Sequence, residues 1–263
     1  MTGEEELLVG GVANAGAVTR IGNDVLRPWH DFTASAHRLL TDVREAGFTG
    51  VPMPLGAHED GRERLSFVPG DVPVPPYPDW AQSDQTLASV ARLMREFHNA
   101  ASPLGVEGVW SNELADPQAG PIVCHNDVCL ENVVFQDGLA VALLDWDFAS
   151  QGRPVYDLAQ MARMCVPIDD DVSASRLGWD KANTPERLRL VSDAYGLERP
   201  ARDELLSHLN HTTRVGGTFV SRRVAAGDPN FINMWQAMGG MERYDRRRQW
   251  WSTVRDDFER ALQ

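Results

Sequence analysis

Hydrophobic positions along the first seventy residues alternate in short runs around one helical segment. Leu7–Val12 and Ala17–Ile21 read as strands on either side of a Gly-Val-Ala-Asn-Ala-Gly loop, and a Gly22-Asn23-Asp24 turn leads into Val25-Leu26-Arg27. Ala36, Leu39, Leu40 and Val43 then recur at helical spacing, predicting a helix from Thr33 to about Ala46 that Gly47 stops. Two further strands are expected at Val51–Leu55 and Arg64–Val68, ending at Pro69-Gly70. The proline-rich passage Val72–Pro78 is extended in character and marks a boundary. Beyond it the period changes. Ser83 opens a long amphipathic helix to about Ala101, with Leu87, Val90, Ala91, Met94 and Phe97 on its apolar face. A strand, loop, strand, turn, strand pattern follows: Pro121–Cys124, Asn132–Phe135, then a Gln136-Asp137-Gly138 turn into Leu139–Leu144. From Val155 onward only helices are expected, at about Val155–Val166, Pro185–Tyr195, Ala201–Ala225 and Glu242–Leu262.

Charge changes this picture by dividing the chain in two. Residues 1–150 hold 22 acidic and 8 basic side chains, whereas 151–263 hold 16 and 17, for a net charge of −13. Nucleic acid is excluded as a partner, because phosphate neutralisation needs a basic surface. The run Arg246-Arg247-Arg248 is the exception and is expected on the solvated face of a terminal helix. No apolar run reaches the roughly 20 residues that span a bilayer, so no membrane partner is expected. An acidic N-terminus and three cysteines point to a reducing cytoplasm rather than a disulfide framework. Lys181 is the single lysine, and it lies between Asp180 and Ala182, which rules out the Gly-Lys-Ser/Thr phosphate loop.

The candidate chemistry lies on the strand–loop–strand segment. His125-Asn126-Asp127 runs to Asn132 as H-x-D-x-x-x-x-N, and the following strand ends in Asp145-Trp146-Asp147. A kinase-type phosphoryl-transfer site requires these parts. One aspartate takes the proton of the attacking hydroxyl, while an asparagine five residues later and a second aspartate hold magnesium on the nucleotide phosphates. The loop and strand-end placement suits groups that a rigid scaffold must aim.

With both halves in view, the chain resembles the aminoglycoside phosphotransferase-like family. The resemblance rests on His125 to Asn132, Leu144-Asp145-Trp146-Asp147 and Tyr156-Asp157-Leu158-Ala159. It implies an α+β, bilobal protein-kinase-like fold, with a small N-terminal antiparallel-sheet lobe over residues 1–69 and a larger, mainly helical lobe over 70–263. The implied activity is transfer of the γ-phosphate of ATP or GTP, with Mg2+, to a hydroxyl of a small molecule, either an antibiotic or a metabolite. By the resemblance Asp127 is the base, His125 braces the loop, Asn132 and Asp145 bind magnesium, and Asp147 assists the metal or substrate. Gly10, Gly11 and Asn14 look like the nucleotide-covering loop, and Ser66, Phe67 and Val68 look like the hinge. Where the family places its phosphate lysine stands Arg27, and its usual glutamate partner falls near His37. We expect Arg27 to hold the α/β-phosphates. Asp169 and Asp170 are candidates to border the acceptor. The alternative is a non-catalytic, pseudokinase-type nucleotide- or ligand-binding resistance protein. Oligomeric state has no signal in the sequence.

Overall fold

The computed structural model describes residues 4–8, 12, 14–180 and 182–263. Strands β1 (Glu6–Leu7), β2 (Thr19–Ile21), β3 (Asp24–Arg27), β4 (Pro54–Ala57) and β5 (Glu63–Ser66) form an antiparallel sheet in the order β1-β2-β3-β5-β4. Helix α1 (Thr33–Glu45) joins β3 to β4. Its buried positions include Ala36, Leu39, Leu40 and Val43, the four that the helical spacing selects, and Gly47 follows its end at φ 98°. The strand expected at Val51–Leu55 is displaced. Val51 is buried in the core, while Pro54–Ala57 does the pairing across a bulge.

Ser83 caps α2 (Asp84–Ala101) by accepting the Thr86 N–H at 3.1 Å, preceded by a short 3-10 turn at Asp79–Gln82. The apolar stripe of α2 packs against α1 on one side and the strands that follow it on the other, all in one continuous core. Strands β7 (Val133–Gln136) and β8 (Leu139–Leu143) form a hairpin whose turn residues, Asp137 and Gly138, both have positive φ. Strand β6 (Ile122–Cys124) pairs with β9 (Ser150–Gly152), a strand that no hydrophobic pattern announces because its residues are Ser, Gln and Gly.

The helices that follow are α3 (Pro154–Cys165), α4 (Asp171–Arg176), α5 (Thr184–Tyr195), α6 (Arg199–Ala225), α7 (Pro229–Met238) and α8 (Gly240–Leu262). Helices α4 and α7 are additions to the sequence reading. Their punctuation is local and legible: Asp170 and Asp228 cap their N-termini, and Gly239 ends α7 in the left-handed conformation. The fold is thus α+β, a small antiparallel sheet on a large helical body. Among the described residues no helix is long and apolar enough to cross a membrane.

Candidate active site

Strand β6 delivers the chain to the His125–Asn132 loop at Cys124, and β8 delivers it to the opposing loop at Leu143. Two hydrogen bonds tie these loops together: the Leu144 N–H donates to the Asn132 carbonyl at 2.8 Å, and His125 Nε2 donates to the Leu144 carbonyl at 2.8 Å. The other ring nitrogen of His125 accepts the Asp127 N–H at 3.3 Å. This imidazole is wholly buried against Trp146, and burial lowers its pKa, so it braces the loop as a neutral ring.

A second brace comes from Asp157 at the start of α3. Its Oδ2 accepts the His125 N–H and its Oδ1 the Asn126 N–H, both at 2.8 Å. His98 Nε2 lies 3.0 Å from Oδ2, and Tyr195 meets the other nitrogen of His98 at 2.7 Å. Burial pushes the Asp157 carboxyl up, but these hydrogen bonds and the neighbouring histidines bring it below the usual carboxylate value. Asp157 thus fixes the backbone that presents Asp127. The sequence reading used this residue only as a family marker. Its signal was an acid in the first turn of the helix that follows the Asp145–Asp147 loop.

Asn132 Nδ2 donates to the Asp127 carbonyl at 2.9 Å and lies 3.3 Å from Asp127 Oδ2. Among the described residues no donor reaches Asn132 Oδ1. Asn126 and Asp145 both hold positive φ, 65° and 61°, a conformation uncommon for residues with a Cβ and one that turns the chain sharply at both loops. The half-buried Asp127 is pushed up to about 8 by burial and then by the neighbouring Asp145 charge, with Arg163 opposing the rise. Asp147 rises to about 6 for the same two reasons, opposed by Arg27. Three carboxylates therefore crowd a pocket where their charges repel, and the hard oxygen ligands that remain fit a divalent cation.

Arg27, expected to hold the α/β-phosphates, is paired with carboxylates beside the two loops. Its Nε lies 2.9 Å from Glu63 Oε2, and its Nη2 reaches Asp145 at 3.3 Å and makes a closer pair with Asp147. Burial alone would lower its pKa, but the three carboxylates raise it above the usual arginine value. Glu63 faces Arg27 directly across the β3–β5 ladder. The carboxylate partner of Arg27 thus comes from a strand, while His37 on α1 supports it through Nε2, 2.8 Å from Glu63 Oε1. Sequence reasoning missed Glu63 because cross-strand register is invisible in one chain of letters.

Asn14 reaches the same cluster, donating to Asp147 Oδ2 at 2.8 Å. Gly10 and Gly11 lie outside the described residues. Ser66 closes β5, and Phe67 and Val68 follow it. Ser66 Oγ accepts the Met53 N–H at 2.8 Å, and the Phe67 N–H donates to the Asn23 carbonyl at 2.7 Å. The Phe67 ring is covered by Arg20, whose guanidinium carbon sits 3.6 Å from the ring centroid.

The two acids expected on the acceptor side are both ion-paired. Asp169 pairs with Arg243 at 2.7 Å, and Arg247 Nε lies 3.7 Å from it. Asp170 caps α4 by accepting the Ser173 N–H and hydroxyl, and it pairs with Arg246 at 3.1 Å. Neither Asp169 nor Asp170 is free to receive a cationic acceptor, because arginines of α8 neutralise both. The same pairs correct the expectation for the Arg246–Arg248 run. Arg246 and Arg247 turn inward, Arg247 also donating to the Ile168 carbonyl at 2.7 Å, and only Arg248 stays well exposed. Cys124 and Cys129 are buried thiols whose pKa burial raises, so they are inert core residues.

A profile of the phosphotransferase enzyme family matches residues 105–191, the span that carries both loops and α3. The trifolitoxin immunity protein of Rhizobium leguminosarum bv. trifolii is 30% identical over 207 residues, covering 74% of this chain and 77% of that protein. A solved choline/ethanolamine kinase family protein from Mesorhizobium loti superposes with a TM-score of 0.64 at 19% identity, covering 99% of this chain and 92% of the other. The wild-type aminoglycoside 2'-phosphotransferase-IIIa, solved as a GDP complex, superposes with a TM-score of 0.56 at 14% identity, covering 90% and 91%. These likenesses identify the kinase-like bilobal fold.

Proposed function

The chain belongs to the phosphotransferase enzyme family, and from that premise we propose that it moves the γ-phosphoryl group of a purine nucleotide to a hydroxyl of a small molecule. The observation that carries this reading is Asp127: a half-buried carboxylate with its pKa near 8, on a loop braced by His125 and Asp157 beside Asn132 and Asp145. A general base works best with a pKa close to the working pH. In the step, the acceptor oxygen bonds to the γ-phosphorus and the bridging P–O bond to the departing nucleoside diphosphate breaks. The acceptor's proton passes to Asp127. Asn132 and Asp145 are the residues that would hold Mg2+, which when bound supplies charge neutralisation at the phosphates. Aligning hydroxyl and phosphorus is the remaining task, and the braced loops serve it. Ser66 to Val68 and Asn14 frame the nucleotide side, with a lobe boundary near Pro69.

Asp127→Ala is the direct test. Phosphate transfer to an accepted alcohol should fall by about 10²–10⁴-fold while the far-ultraviolet circular dichroism stays native. Wild-type turnover in that variant would remove Asp127 from the role of base.

A specific observation favours a second reading. Arg27 is engaged with Asp145 and Asp147, the side chains a metal–nucleotide complex needs, and one relative is named as an immunity protein. In that reading the chain protects by binding its ligand without turnover. Incubation with Mg2+, labelled ATP or GTP and a panel of hydroxylated antibiotics and metabolites separates the two: label in the acceptor supports transfer, whereas ligand binding with no label supports sequestration.

A further inference from the structure

A cavity of about 660 Å³ lies between α6 and α8 in the helical half. Its walls are aromatic and cationic. Arg214, Arg222, Arg247 and Arg248 line it together with Tyr244 and Trp251, and no acidic side chain is among its described lining residues. Helix α6 approaches closely because Gly216 and Gly217 interrupt it: a Cβ at Gly217 would stand 2.3 Å from Tyr244 Cε1, and one at Gly216 would touch Arg163 Cζ at 3.4 Å. Arg163, on α3, therefore packs one residue from the cavity wall. It is also near enough to Asp127 for its charge to hold that carboxyl down.

Around Arg163 the charges do not balance. Arg163, Arg243 and Arg247 share two carboxylates, Asp127 and Asp169, while Asp170 is taken by Arg246. Among the described residues no hydrogen bond or ion pair engages the Arg163 guanidinium, whose Nε is buried. Burial and the neighbouring arginines pull Arg247 down to about 10, the response of a cation short of counter-charge. A partly buried excess of guanidinium is stabilised by an anion, and guanidinium forks suit carboxylate or phosphate oxygens. Flat aromatic walls suit an apolar group on the same molecule.

We propose that this cavity is the acceptor subsite and that it takes an anionic hydroxylated molecule with an apolar or aromatic portion, its anionic group facing Arg163 and Arg247. The assignment rests on the phosphotransferase reading for the word acceptor, and the binding claim stands apart from turnover. A strongly cationic acceptor is disfavoured, since the two acids that would receive an ammonium are already paired.

The test uses two alcohols that share a phenyl group and a hydroxyl, 3-phenyllactate and phenylalaninol. One carries a carboxylate and the other an ammonium. Titration calorimetry on the wild-type chain at pH 7 without nucleotide should show phenyllactate binding about tenfold or more tightly. In Arg163→Gln that preference should shrink to about threefold or less, with the melting temperature confirming a folded variant. Equal affinities, tighter binding of phenylalaninol, or no binding of either probe at millimolar concentration would each overturn the proposal. If Arg163→Gln does not fold, the wild-type comparison still decides. Because neither measurement involves turnover, a failed phosphate-transfer assay and a failed anion preference are separate results.

Discussion

Asn126 and Asp145 show what single residues contribute to the site's shape. Each adopts the left-handed conformation, which costs roughly 1–2 kcal/mol for a side chain with a Cβ and persists only where surrounding structure compels it. Asp157 supplies that compulsion for Asn126 by accepting two consecutive backbone N–H groups. Asp157→Ala would leave these donors and His98 without their buried acceptor. We expect about 3–5 kcal/mol of destabilisation in urea unfolding and loss of transfer even where the variant folds. A loss below about 1 kcal/mol would show that the loop holds itself. Asp127 makes a pH-dependent prediction. Its carboxyl rises from an ordinary 3.8 to about 8 in the fold, so the folded chain binds that proton more tightly than the unfolded chain. Its contribution to stability is therefore present at low pH and declines as pH climbs between those values. Without added metal, Asp127→Asn should gain more stability at pH 8 than at pH 5, by up to about 4 kcal/mol, read from melting curves at both pH values. An identical gain at the two would contradict the raised pKa.

At the level of elements, α6 sets helix propensity against packing. Gly216-Gly217 in a 27-residue helix should weaken it, and alanine would be preferred by about 1 kcal/mol per position on propensity alone. Tyr244 reverses the sign at Gly217, because the 2.3 Å approach to its ring leaves no room for a Cβ. Gly217→Ala should thus destabilise by about 1–3 kcal/mol, and adding Tyr244→Ala should return part of it as a non-additive coupling in a double-mutant cycle. Strict additivity would mean the contact carries no energy. The β3–β5 ladder shows the same dependence on partners. Arg27 was visible as a cation on a strand, but the register that sets Glu63 opposite it arises only when the sheet assembles.

Across the whole molecule, the sheet lobe and the helical body meet over the site. Arg27 from β3 pairs with Asp145 and Asp147, Asn14 bonds Asp147, and the Leu143 N–H donates to the Gly50 carbonyl. A nucleotide with Mg2+ would bridge the same two bodies. At about 100-fold excess over its dissociation constant it should add about 2.7 kcal/mol of stability, and EDTA should remove that increment. Thermal shift with ATP and GTP, each with and without chelator, reads this. A shift insensitive to EDTA would argue that Asn132 and Asp145 hold no metal.

Much of this protein was legible before folding was considered. The apolar faces of α1 and α2, the Asp-Gly hairpin turn, the capping residues and the H-x-D to D-x-D spacing are all local, carried by side chains within a few turns of one another. Those features sufficed for the family and the fold class. What tertiary structure alone decided was the pairing of charges. Whether Asp169 was an open acid or a neutralised one, whether Arg246 and Arg247 faced water or the core, and which carboxylate met Arg27 each depended on residues from 36 to 120 positions away. Electrostatic energy follows distance in space and the dielectric around each pair, and a chain acquires both only when it is packed.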